Sequence, residues 1–179
     1  HDKFRPFMET SEKPLNPYRV IGDLMKVLDP KKSFVTADLG NTRDQTSTVY
    51  EAQIPRGHLG WGNVSTLGFS FAGAFAAKLA HPDRQCVNIT GDAGVCYMMG
   101  SFEAAARYGV GITTLHINNG GYSGYGPGFW GAGHDPYTWK VSDHSTACMA
   151  SMARAVGYHA EDVTEPAEVI PALKRAFDE

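Results

Sequence analysis

Nowhere in this chain do apolar residues run long enough to span a bilayer, and the N-terminus carries no apolar signal segment. Membrane association is therefore not expected. An excess of positive charge is also missing. Lys and Arg number 16 against 19 Asp and Glu, for a formal net charge of -3, so nucleic acid is not an expected partner. Cysteine is scarce: Cys86, Cys96 and Cys148 make an odd number with no CxxC spacing. That argues against zinc and against a disulfide framework, and a reducing compartment such as the cytoplasm is the simpler setting. No G-x-G-x-x-G follows the first expected strand, which excludes the dinucleotide fingerprint, and no G-x-x-x-x-G-K-[ST] occurs, which excludes a P-loop. No internal repeat is visible.

What the chain has instead is glycine, 20 of 179 residues, clustered in a few places where tight turns or close ligand approach are expected. The length suits one domain with a full core. Residues 1–15 are polar and Pro-containing, as a linker would be, and residues 16–179 form the domain. With a first residue that is His rather than Met, the chain is expected to be a piece of a longer protein.

Asn16 and Pro17 make an N-cap and N1 pair that opens a helix through about Leu28. A short buried strand is expected over Ser33 to Asp38, then a helix over Thr42 to Tyr50. The run STLGFSFAGAFAAKLA, Ser65 to Ala80, is rich in small residues and reads as a helix packed tightly against something, with a face that could belong to an interface. A strand in QCVNIT, a helix from about Tyr97 to Tyr108 and a strand in ITTLHIN follow. The series closes with a helix near Ser145 to Val156, a short strand at HAEDV and a helix from Pro166 to Phe177. Strands alternating with helices imply an α/β fold of three layers, a mainly parallel sheet with helices on both faces.

In such a sheet ligands bind outside the carboxyl ends of the strands. The stretch GDAGVCYMMGSFEAAARYGVGITTLHINNGGYSGYG puts Gly91-Asp92 after one strand and Asn118-Asn119 after the next, so both come out on one edge. Asp92 offers a carboxylate, Asn119 an amide oxygen, and the following glycines a backbone carbonyl. This is an all-oxygen partial shell suited to Mg²⁺, which takes phosphate oxygens and water for the remainder. Backbone N–H groups of Ala93 and Gly94 could face the same phosphates.

These residues resemble the diphosphate-binding motif of thiamine diphosphate enzymes: Gly-Asp-Gly, a helix with Glu-x-x-x-Arg, then a strand and Asn-Asn. Here they are Gly91-Asp92-Ala93, Glu103 with Arg107, and Asn118-Asn119. VTADLGNTRDQ resembles the diphosphate turn of acetolactate-synthase-like members. GNVSTLGFSFAGAFAAKLAHPDR resembles their Gly-Thr-Met-Gly-Phe segment. The chain departs from the pattern at Ala93, where the third Gly stands and where φ must be negative, and at Gly111, where Pro is frequent.

The resemblance implies thiamine diphosphate and Mg²⁺ as cofactors. It implies Asp92, Asn119 and the Gly121 carbonyl as metal ligands, and Gly40, Asn41 and Thr42 on the diphosphate. Gly91, Ala93, Gly94 and Tyr122 belong to the same cofactor site. Leu67 matches the bulky residue that bends the cofactor, and the backbone of Ser65 and Leu67 meets the aminopyrimidine edge. The resemblance further implies C–C bond making or breaking beside a carbonyl, on 2-oxo acids or acyl-CoA compounds. Acetolactate-synthase-like chemistry is the first reading. 2-Hydroxyacyl-CoA lyase, oxalyl-CoA or 2-oxo acid decarboxylase, or a non-catalytic relative, is the alternative. The activating glutamate has no candidate in this chain. It is expected from a pyrimidine-binding domain of another subunit, within a homodimer or homotetramer.

The Gly- and aromatic-rich loop GGYSGYGPGFWGAGHDPYTW is expected to be a lid, with Tyr122 and Tyr125 nearest the metal site and bordering the substrate. His58, His81, His116 and His144 are read as ordinary structural residues, the cysteines as small core or near-core residues, and Met98-Met99 as packing beneath the cofactor.

Overall fold

Alternate positions along each strand face opposite ways, and in the strands Ser33–Ala37 and Gln85–Gly91 both sets are buried, so the sheet carries a core on each face. The computed structural model describes residues 2–60, 62, 64, 66–121 and 148–178. Four strands, β1 (Ser33–Ala37), β2 (His58–Leu59), β3 (Gln85–Gly91) and β4 (Thr113–Ile117), form one parallel sheet in the order β2-β1-β3-β4. The register pairs Val35 with Val87, Val87 with Thr113 and Thr90 with His116.

The helices are α1 (Arg5–Glu9), α2 (Pro17–Val27), α3 (Asn41–Val49), α4 (Phe69–Ala80), α5 (Asp92–Tyr108), α6 (Met149–Ala155) and α7 (Val169–Asp178). Val35, Val87 and Ile89 point to one face and pack with Leu24 and Leu28 of the α2 segment and Val169 and Leu173 of α7. Phe34 and Cys86 point to the other face, where they meet Phe71, Ala74 and Ala77 of α4, Val95, Phe102 and Ala105 of α5, and Met149 of α6. The result is the expected three-layer α/β arrangement. Each fully buried Val, Leu or Ile contributes about 1.5–3 kcal/mol of transfer free energy.

The small residues of α4 are explained by this packing. A Cβ built on Gly73 would lie 3.2 Å from Thr36 Cγ2, and Thr36 Oγ1 donates to the Ser70 carbonyl at 2.7 Å. The helix approaches β1 most closely at Gly73, where any side chain would crowd Thr36. The stripe thus seats α4 on the sheet, while Leu79 stays exposed.

Asn16 caps α2 as expected, its side chain accepting from the Tyr18 N–H at 3.0 Å. Ahead of it, residues 2–9 are helical, and Phe4 rests against Tyr18 with ring centroids 5.1 Å apart. Arg19 ties this segment down by donating to the Thr10 carbonyl at 2.7 Å and to Asp23 at 2.6 Å.

The elements differ from the expectations most clearly at four points. α4 begins at Phe69 rather than Ser65, because Gly68, at φ 85, is its N-cap. α5 begins at Asp92, five residues ahead of Tyr97. HAEDV forms no strand: Val163 packs beside α7, Glu161 is held by Arg175 at 2.7 Å, and among the described residues the stretch makes no strand pairing. β2, only two residues long, pairs with β1 through Val35 and His58 and has no periodicity that a sequence could show.

Candidate functional site at the carboxyl edge of the sheet

The chain leaves β1 toward β2 on one side, and β3 lies on the other, so the strand order reverses between β1 and β3. A crevice opens at such a point because the helices that follow the two strands lie on opposite faces. α3 follows β1 on the face shared with α2, and α5 follows β3 on the face shared with α4 and α6. The heads of these two helices meet there. A Cβ on Gly91, the N-cap of α5, would lie 3.8 Å from Thr42 Cγ2 in the first turn of α3.

Neither helix head carries a side-chain cap. Gly40 is the N-cap of α3 at φ 92, a conformation that disfavours any residue with a Cβ, and a side chain there would project into open space. Thr42 is turned inward instead, its Oγ1 donating to the Asp38 carbonyl at 3.1 Å. Two uncapped helix N-termini side by side make a site of positive potential.

Beside it stands Asp92, the first residue of α5, only 3% exposed. Its Oδ2 accepts from the backbone N–H groups of Asn119 and Gly121, both at 3.2 Å. His116 Nε2 lies 3.0 Å from its Oδ1. Burial would raise the Asp92 pKa, but the His116 hydrogen bond and charge and the two amides outweigh it, and the carboxyl is held below its ordinary value. Asn119 Oδ1 accepts from the same Gly121 N–H at 3.3 Å, so the carboxylate and the amide oxygen converge on one point. Asn118 is turned to its own loop, accepting from the Gly120 N–H at 3.1 Å.

Ala93 has no positive φ and sits inside the first turn of α5, so the missing glycine is tolerated there. The close approach falls one residue later. A Cβ on Gly94 would lie 1.8 Å from Asp38 Oδ2 and 2.3 Å from Thr90 Oγ1. Asp38, fully buried at the end of β1, accepts from the Gly68 N–H at 3.0 Å through each oxygen and from Thr90 Oγ1 at 3.1 Å. It therefore joins the ends of β1 and β3 to the head of α4, and sequence reasoning missed it. The signal available was a carboxylate directly after a buried strand.

Leu67 is half-buried in the turn before Gly68. Arg43, beside the α3 head, pairs with Asp44, and Glu103 pairs with Arg107 at 3.0 Å on the solvent side of α5. Met98 and Met99 pack against the α4–α5 core. Ser65, Tyr122, Tyr125 and the aromatic loop with Phe129, Trp130, His134 and Tyr137, together with His144, lie outside the described residues. Among the described residues no group of three or more His, Cys, Asp or Glu is placed to hold a metal. No helix among them is long and apolar enough to cross a membrane.

Fold and site together define a doubly wound α/β domain with two uncapped helix N-termini at its switch point, an arrangement suited to an anionic ligand. Residues 38–179 match the family described as thiamine pyrophosphate enzyme, C-terminal TPP binding domain. The chain belongs to this family, whose cofactor is thiamine diphosphate. It is 27% identical over 97% of its length to a probable acetolactate synthase large subunit of Methanococcus aeolicus, covering 29% of that protein. It is 28% identical over 91% of its length to the 2-hydroxyacyl-CoA lyase of Arabidopsis thaliana, again covering 29%. The fold matches that of the thiamine diphosphate-dependent 4-hydroxybenzoylformate decarboxylase of Rhodococcus jostii RHA1 with a TM-score of 0.81 at 21% identity, over 95% of this chain and 32% of that one. The chain thus spans under a third of the length of these relatives.

Proposed function

We propose that this chain supplies the diphosphate- and Mg²⁺-binding half of an active site that makes or breaks a C–C bond next to a carbonyl. The observation that carries the reading is the convergence of Asp92 Oδ2 and Asn119 Oδ1 on the Gly121 N–H, with two uncapped helix heads alongside. Oxygen donors with a single carboxylate kept ionised suit a hard divalent cation such as Mg²⁺, which would supply positive charge to a diphosphate. The residues present fit the group.

Asp92, Asn119 and the Gly121 carbonyl hold the cation in this reading. Gly40, Asn41 and Thr42 at the head of α3, and Gly91, Ala93 and Gly94 at the head of α5, face the diphosphate. Gly94 serves mainly by allowing α5 to sit on Asp38. Leu67, fixed in the turn that Asp38 anchors through Gly68, supports the bent cofactor, with Ser65 beside it. Tyr122 and Tyr125 border the substrate. When bound, thiamine diphosphate supplies the nucleophile and the electron sink. The chain's part is to anchor the anionic end and hold the cofactor in place.

The other half of the site belongs to a pyrimidine-binding domain of a second subunit, and a homodimer or homotetramer follows. Substrates of the acetolactate synthase class, 2-oxo acids, are the first reading. Similarity to a 2-hydroxyacyl-CoA lyase over 91% of the chain supports a second one, in which acyl-CoA compounds are the substrates. The deciding test is calorimetry of thiamine diphosphate binding to the intact protein with and without Mg²⁺, for wild type and Asp92→Ala. Binding that requires Mg²⁺ and collapses in the variant supports the site. Equal binding by both proteins removes it.

A further inference from the structure

Position 116 lies in β4, where the strand needs only a residue that packs, yet it holds an imidazole aimed at the one buried carboxylate of the candidate metal site. We infer that His116 is a positioning residue that fixes the Asp92 carboxylate for its divalent cation, an inference that rests on the metal reading above.

The placement follows from register. Leu115 and Ile117 turn to the α2–α7 face, so Thr114 and His116 turn to the α5 face. There they continue a polar line that begins inside the sheet: Asn88 Nδ2 donates to Thr114 Oγ1 at 3.3 Å, and Thr90, paired with His116, donates to Asp38 at 3.1 Å. His116 stands at the carboxyl end of this line, its side chain 16% exposed against 2% for that of Asp92.

An ionised carboxylate only accepts hydrogen bonds, so at 3.0 Å Nε2 must carry the proton and donate to Oδ1. The two backbone amides donate to Oδ2 from the other side. Together these donors remove the free rotation of the carboxylate about its Cβ–Cγ bond. The loop amides could follow the loop if it shifted, whereas His116 is fixed in the sheet. It is therefore the donor that keeps the carboxylate plane constant when cofactor and cation enter or leave. A neighbour that orients a metal ligand in this way changes metal affinity by about 10- to 100-fold when removed.

The test is Mn²⁺ affinity of the intact protein in saturating thiamine diphosphate, read as free Mn²⁺ by electron paramagnetic resonance, with thermal melting as the folding control. His116→Leu is expected to weaken Mn²⁺ binding by about 10-fold or more. His116→Gln, whose Nε2 falls near the imidazole Nε2, is expected to restore it to within about threefold of wild type on the same reasoning. If His116→Leu does not fold, His116→Asn, which keeps an amide but is one bond too short, takes its place and is expected to bind as weakly. Wild-type affinity in a folded His116→Leu or His116→Asn protein overturns the inference. So does a folded His116→Gln protein as weak as His116→Leu, because a purely structural role would not track the donor. Failure of the wild type itself to bind Mn²⁺ overturns the metal reading, and the inference with it.

Discussion

Asp38 and Gly94 occupy adjoining space so fully that a single added carbon on Gly94 would sit 1.8 Å from the Asp38 carboxylate. The contact joins the end of β1 to the first turn of α5 and leaves no flexible side-chain end to give way, because Asp38 is itself held by Gly68 and Thr90. Gly94→Ala should therefore destabilise the fold by about 1–3 kcal/mol, the usual range for overpacking, even though Ala is the better helix former. Chemical denaturation of the two proteins checks this. A neutral or stabilised variant would show that Asp38 moves aside freely.

That contact also marks where sequence reasoning stops. The strands at Ser33 and Gln85 and the pairing of Gly91-Asp92 with Asn118-Asn119 were legible because they rest on local pattern and on one βαβ step. The early start of α5 was not. Asp92-Ala93-Gly94 has the composition of a turn, and it becomes helical because Gly94 can press against a carboxylate from β1, far away in sequence. Asp38 reads as a strand end and as part of the turn in VTADLGNTRDQ, but its hold on Gly68 and Thr90 is a tertiary contact that no local pattern shows. The bond between His116 and Asp92 depends on β3 and β4 aligning Thr90 with His116, and register is a tertiary property. HAEDV shows the converse: β-type composition makes no strand unless a partner pairs with it, and among the described residues none does.

Acid should weaken the fold in two stages. Burial lowers the pKa of His58 below its ordinary 6.5, and its Nε2 is enclosed without a hydrogen-bond partner. As pH falls below about 6.5 the unfolded chain takes up a proton that the folded chain refuses, so stability declines with falling pH until the lowered value is passed. The slope is at most about 1.4 kcal/mol per pH unit for one proton. Asp92, also lowered, adds a second decline below about pH 4, where the unfolded carboxyl protonates first. Urea midpoints from pH 7 to 5 should slope in wild type and flatten in His58→Leu. An unchanged slope in the variant would assign the first stage to another group.

The three cysteines should react in an order set by burial. Cys86 sits in the core, where desolvation pushes its pKa to about 11 despite Lys78 and Arg84 nearby. Cys96 is half-buried and raised for the same reason, with the Asp92 charge adding to it. Cys148 is exposed, and its hydrogen bond with Ser151 lowers its pKa. Only the thiolate is nucleophilic, so iodoacetamide at pH 8 should modify Cys148 before Cys86 by about tenfold or more in rate. A mass-spectrometric time course reads this directly, and labelling of Cys86 first would mean the α4–β3 core opens readily.

The adjacent asparagines offer the sharpest test of the metal geometry, since they share chemistry and differ only in direction. Asn119 Oδ1 meets the same Gly121 N–H as Asp92 Oδ2, whereas Asn118 Oδ1 closes a local turn onto Gly120. Removing one oxygen ligand from a cation that has few protein donors should weaken Mg²⁺-dependent cofactor binding by about tenfold or more in Asn119→Ala. Asn118→Ala loses only a turn hydrogen bond, about 0.5–1.5 kcal/mol of local stability, and should bind the cofactor nearly as wild type does. Calorimetry on the intact protein separates the two. If Asn118→Ala were the weaker binder, the loop would have to turn over when the cation enters, and the arrangement of Asn119 and Gly121 around Asp92 would belong to the cation-free state alone.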